Sequence, residues 1–139
     1  MTDALLIFHF IGLMMGAGGG LGSTIAMRHA LSLPPEQAGV IRALGPILSK
    51  LSLTGVVLML LTGFALVAYR FGGFDAMPVM FWVKMIFVGT LTLAAILIEV
   101  THAQVKKGNV KAAANLPRLG PAAGISSLLA VIFATLAFH

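Results

Sequence analysis

The sequence predicts an all-α membrane protein, a bundle of four transmembrane helices. Two observations carry this. Hydrophobic residues make up 59% of the chain and charged residues only 9%, with a mean hydropathy of +1.04; about a quarter of a soluble domain is charged. The apolar residues also gather into four stretches, approximately 4–27, 47–69, 80–100 and 120–138. Each is close to the ~20 residues that cross a ~30 Å hydrocarbon layer. In lipid an open strand leaves its backbone unpaired, so all four are expected to be helices. The 139 residues read as a single transmembrane domain with no length left for a soluble module.

The first stretch, Ala4–Met27, has no charged residue. The Met-Thr-Asp that precedes it lacks a basic region and the apolar run exceeds a signal-peptide core, so it reads as a retained helix. It contains His9 and a run of glycines. At 100° per residue Gly12, Gly16 and Gly20 share the face of His9. A ligand-type side chain above a flat glycine groove in lipid predicts a cofactor face, with His9 as metal ligand and the glycines making room for a ring. Two other readings stand beside this. His9 as an interfacial histidine would bond only water or a headgroup. The pairs Gly12/Gly16, Gly16/Gly20 and Gly18/Gly22 also have the spacing that lets helices approach closely, which predicts a homodimer.

The connections set the topology. Loop one, Arg28–Pro46, holds Arg28, His29, Glu36 and Arg42, and its SLPPEQAG reads as a short surface helix with Pro34 near the entry. Loop two, RFGGFDAMP, is glycine-rich and near neutral. Loop three, Thr101–Pro117, holds Lys106, Lys107 and Lys111, with Arg118 just beyond. Basic loops one and three are expected in the cytoplasm and both termini on the periplasmic or exterior side. Tyr69 and Trp82 fall at the exterior ends of helices two and three, as an aromatic belt requires.

Ionisable groups inside the membrane are costly and therefore informative. Lys84 lies in helix three at a depth similar to His9, either as a functional cation facing an anion such as a propionate or as a snorkelling lysine. Glu99 and His102 close helix three. His102 is a candidate second axial ligand, opposite Met27 or another histidine, or else an interface residue beside Lys106. Glu99-x-x-His102 has di-iron spacing, but that site needs a second such pair and two further carboxylates in the bundle, and the acids of the chain are Asp3, Glu36, Asp75 and Glu99. His29 and His139 read as solvated.

Shifted by 75 residues without a gap, Leu44-Gly45-Pro46 falls on Leu119-Gly120-Pro121, Ser52-Leu53 on Ser127-Leu128, His9 on Lys84 and Met27 on His102. This predicts a tandem repeat of two-helix hairpins about an axis along the membrane normal; the alternative is that two membrane hairpins resemble one another by composition. The net charge of +5 lies mainly in two loops and reads as topology, not nucleic-acid binding. The absence of cysteine excludes disulfides, iron–sulfur clusters and thiolate ligation. There is no serine–histidine–acid set, phosphate loop or zinc-type cluster.

Several motifs together resemble a known group. A histidine early in helix one precedes glycines (HFIGLMMGAGGGLG), helix two ends in Leu61-Thr62-Gly63-Phe64-Ala65-Leu66, and helix three begins Phe81-Trp82-Val83-Lys84. This is similar to the small bacterial four-helix membrane proteins that include the HemJ-type protoporphyrinogen oxidases and the CopD-type copper-resistance membrane domain. The resemblance implies a bacterial inner-membrane protein that binds haem b, with His9 and Lys84 at functional positions. The Leu-Pro-Arg-Leu-type segment of the HemJ pattern is absent late in helix one, which reads Gly-Ser-Thr-Ile-Ala-Met; Leu116-Pro117-Arg118-Leu119 precedes helix four instead. The expectation is therefore a haem b protein in electron transfer or a membrane-linked oxidation. The alternatives are a cofactor-free accessory or assembly subunit of a larger membrane complex, and a small metal-handling transporter.

Overall fold

The computed structural model describes residues 2–137, Ala76 by its backbone alone. Four helices follow in order: α1 (Thr2–Ala30), α2 (Pro35–Arg70), α3 (Val79–Lys106) and α4 (Leu116–Ala137), with 3-10 turns at Phe74–Ala76 and Val110–Asn115. Each long helix is apolar and long enough to cross a membrane. The chain is a multi-pass membrane protein of all-α class. The expected ends of helix four at Phe138 and of the chain at His139 lie outside the described residues.

The helices outrun the apolar stretches, because a helix ends where backbone chemistry stops it and not where hydrophobicity falls. The surface helix expected in loop one is instead the first part of α2, which runs unbroken through Pro46. At 36 residues, α2 is about 54 Å long, well beyond the hydrocarbon layer. Its start is set by Pro34-Pro35. The second proline holds Pro34 extended (φ −55°, ψ 151°) and itself occupies the first helical turn, where no N–H is needed. The Arg28 and His29 carbonyls at the end of α1 accept from Leu31 and Ser32 N–H at 3.2 and 3.0 Å, and Ser32 Oγ also donates to His29 at 2.8 Å. α3 continues past Val100 to a Schellman stop. Gly108 takes φ 100°, its N–H bonds the Val105 carbonyl at 3.0 Å, and Asn109 N–H bonds Gln104 at 3.0 Å. α4 begins at Leu116, ahead of the expected Gly120, and includes Pro121.

α1 packs along α2 and α3 along α4, each pair antiparallel. The α1–α2 contact is a backbone-to-backbone approach. A Cβ on Gly55 would meet the Gly12 carbonyl at 2.6 Å, and one on Gly19 would meet the Leu48 carbonyl at 2.6 Å and Ser52 N at 2.7 Å. Ser52 Oγ crosses the gap to donate to the Gly16 carbonyl at 2.8 Å. Between α3 and α4, Phe87 and Phe133 stack with centroids 5.4 Å apart and planes 7° from parallel. The two pairs meet where Ser49 Oγ on α2 donates to Glu99 Oε1 on α3 at 2.5 Å, and where Gly120 on α4 faces Thr24 on α1. The buried apolar residues are mostly small, while Ile7, Met14, Ile25, Ile86 and Leu128 point outward. Lipid is as apolar as leucine, so interior contacts are gained by close packing of small residues.

Candidate functional site

His9 lies in the second turn of α1, and α2 runs back alongside it. The antiparallel hairpin puts Thr62 opposite, with His9 Nδ1 2.9 Å from Thr62 Oγ1. Thr62 is itself buried and donates its one hydroxyl proton to the Leu58 carbonyl at 2.7 Å. Its oxygen can then accept from the ring, the arrangement in which Nδ1 carries the imidazole proton and Nε2 the lone pair. Gly63 lies against the same ring, and a Cβ there would be in contact with His9 Cε1 at 3.4 Å.

His9 forms part of the wall of an interhelical cavity of about 340 Å³ to which all four helices contribute. The wall is almost entirely apolar, with Met59, Val67, Met85 and Ala130 among its residues. Lys84 is its one formal cation, and Nζ lies 5.9 Å from the centre of the Phe81 ring. Aromatic rings gather at the end near the 71–78 connection. Phe74, in the 3-10 turn, packs at 6.1 Å from Phe64 and 6.4 Å from Phe81, both of which line the cavity. The turn is made by Gly72 and Gly73 at φ 76° and 102°, where a side chain would be strained. Gly73 N–H returns to the Val67 carbonyl at 3.1 Å.

The expected residues divide into two places. His9 and Lys84 share this cavity. Gly12, Gly16 and Gly20 do not line it, which corrects the expectation that they make room for a ring. α2 occupies that groove: a Cβ on Gly12 would meet the Gly55 carbonyl at 2.9 Å, one on Gly16 would lie 3.8 Å from the Ser52 carbonyl, and one on Gly20 would lie 3.4 Å from Ser52 Oγ. The close-approach reading of these glycines is the one the packing follows, within the chain. Of the second glycine face, Gly22 touches the Leu48 side chain and Gly18 is open.

His102 lines a second cavity, of about 330 Å³, at the other end of the bundle, and Met27 lines it too. Along α3, Lys84 and His102 are about 27 Å apart at the helical rise per residue. His9 and His102 therefore cannot be opposite axial ligands of one group, a correction that follows from helix length alone. No cluster of three or more histidine, aspartate or glutamate side chains converges among the described residues.

Thr62 and Ser49 are the residues that reasoning from sequence missed. The signal was present. Ser49 and Glu99 are each 25 residues from Phe74, and His9 and Thr62 lie 23 and 28 residues from the turn at Ser32–Pro34. Polar residues mirrored about a membrane hairpin are expected to meet.

No family model, curated protein or solved structure matches this chain. The site therefore has to be read from its own chemistry. One imidazole bonded through Nδ1, one lysine and an apolar chamber make up the site. An anchored histidine is the usual form of a metal-ligating one, and the volume is within the ~300–1,000 Å³ of small-molecule sites.

Proposed function

We propose that this protein binds haem b in the cavity between its four helices and serves electron transfer or a membrane-linked oxidation. The observation that carries the reading is the Thr62–His9 hydrogen bond, which orients a histidine at the wall of an apolar cavity and leaves Nε2 as a donor to iron. His9 would hold the iron. Lys84 would face a propionate, and the apolar wall would hold the macrocycle and exclude water. Bound haem would supply one-electron chemistry at the iron. The chain would contribute a fixed ligand tautomer through Thr62 and a positive charge through Lys84. Among the described residues, His9 is the histidine that lines this cavity.

The same proposal carries the finer topology: a bacterial inner membrane, with the 31–34 and 107–115 connections in the cytoplasm and the 71–78 connection outside. The basic residues Arg28, Arg42, Lys106, Lys107, Lys111 and Arg118 support it. It also carries the tandem repeat, supported by the pairing of helices as two hairpins. His9 and Lys84, related by the 75-residue shift, share one cavity, and Met27 and His102 share the other. A homodimer, if formed through glycine, would use the open face at Gly18.

The test is a visible spectrum of detergent-purified protein from haem-replete cells, oxidised and reduced, with a pyridine haemochrome assay. The expected result is a haem b signature that His9→Ala abolishes, while Lys84→Ala lowers haem content without changing the ligation-sensitive bands. A colourless wild-type protein would sink the proposal and favour the accessory-subunit reading. Haem retained unchanged by His9→Ala would sink the assignment of the ligand.

A further inference from the structure

The second cavity is chemically unlike the first. Arg28 from the last turn of α1, Arg42 from α2 and His102 from α3 all line it, together with Ser23 and Thr24. No aspartate or glutamate does. The nearest acid on α3, Glu99, is engaged by Ser49 Oγ on α2 at 2.5 Å and is not part of the wall. Thr24 donates to the Gly20 carbonyl at 3.0 Å. Both arginines are exposed and form no ion pair with any described residue.

His102 adds a third polar group. Its Nδ1 is buried and has no hydrogen-bond partner. Being buried, that atom does not face the cavity, so the ring lines it through its other edge. Basic and polar residues from three helices thus line one space whose wall holds no carboxylate. The rest of the wall, including Met27, Leu31, Ile98 and Leu116, is apolar.

We propose that this cavity is a binding site for a phosphate-type oxyanion, held by the guanidinium groups of Arg28 and Arg42 beside the edge of the His102 ring that lines the cavity. Guanidinium pairs suit tetrahedral oxyanions because their forked N–H groups meet two oxygens at once. Two sources have this chemistry. One is the phosphodiester of an anionic lipid, whose acyl chains would lie along the apolar part of the wall at the end of the helices. The other is a free phosphate or phosphate ester reaching the site from solution. Basic pockets between transmembrane helices at the cytoplasmic side are suited to the first. The site is independent of haem in the first cavity, so either can fail without the other.

The experiment uses the full chain purified in a neutral detergent, with native mass spectrometry and thermal unfolding as readouts. The probes are phosphatidylglycerol, phosphatidylcholine and inorganic phosphate. Wild-type protein should bind phosphatidylglycerol at least about tenfold more tightly than phosphatidylcholine, or bind inorganic phosphate with a rise in unfolding temperature. The first result assigns a lipid, the second a soluble oxyanion. Arg28→Gln with Arg42→Gln should weaken binding by about fivefold for each arginine. His102→Leu, which keeps both arginines, should weaken it in the same direction. Lys106→Gln with Lys107→Gln, outside the cavity, is the control for general basicity. The proposal is overturned if no phosphate-bearing probe is preferred over phosphatidylcholine, or if the lysine pair matters as much as the arginine pair. Unfolding in phosphatidylcholine alone checks that each variant is folded. Should the double arginine variant not fold, His102→Leu decides, and unchanged binding by it overturns the proposal.

Discussion

Thr62 uses one hydroxyl for two purposes: it returns its proton to the Leu58 carbonyl and offers its oxygen to His9. Thr62→Val keeps the shape and removes the oxygen, leaving Nδ1 without its acceptor. The expected loss is about 1–3 kcal/mol, the ordinary cost of an unpaired buried donor, read as a lower unfolding temperature in detergent. Unfolding unchanged from wild type would show that the ring is not anchored there. Ser49 gives a parallel case. Ser49→Ala removes the partner of Glu99 Oε1 at the α2–α3 contact and should destabilise by a similar ~1–3 kcal/mol. Adding Glu99→Leu should return part of that loss, because the double variant has no carboxylate left to satisfy. If the double variant is less stable than Ser49→Ala alone, Glu99 is held by something other than Ser49. Neither threonine nor serine stands out in an apolar helix, since both bond their own backbone as readily as a distant side chain.

Among the helices, the α1–α2 pair depends on glycine in a way that the α1 glycines do not share equally. Gly55→Ala would drive a methyl into the backbone of Gly12 and Gly16, and Gly19→Ala into that of Leu48 and Ser52. Backbone atoms cannot swing aside, so both substitutions should cost upwards of ~1–3 kcal/mol through forced separation of the helices. Gly18→Ala and Gly89→Ala meet nothing within 4 Å and should stay within about 1 kcal/mol of wild type. Thermal unfolding of the four variants separates the cases, and equal effects at Gly18 and Gly55 would contradict the packing. In the sequence all of the α1 glycines look alike. Helical spacing groups them into faces, but it does not say whether a face meets a ligand, a second copy or the next helix of the same chain. The partner, Gly55, is ten residues from Gly45 and eight from Gly63 in α2 and forms no close-spaced glycine pair.

For the molecule as a whole, the orientation in the membrane is the property most open to direct measurement. The chain has no cysteine, so single-cysteine variants report cleanly. Asp75→Cys in the connection between α2 and α3 should react with a membrane-impermeant maleimide on the outer face of intact cells. Lys107→Cys beyond α3 should react only after permeabilisation. The reverse pattern would invert the topology and place the basic cavity outside.

The sequence by itself determined the class of protein, the number of helices and the residues worth asking about, His9, Lys84 and His102. Hydropathy and the rarity of ionisable groups in lipid are local properties, legible in one dimension. Proline and glycine chemistry at Pro34-Pro35 and Gly108 also carried the helix ends, although the apolar stretches alone placed them elsewhere. Tertiary structure decided what those residues do. It put α2 into the groove of Gly12, Gly16 and Gly20, paired His9 with Thr62, and set His9 and His102 at opposite ends of the bundle. Each of these depends on the register of an antiparallel hairpin. A shift of one or two residues along a helix turns a side chain to another face, and only the packed contacts fix it.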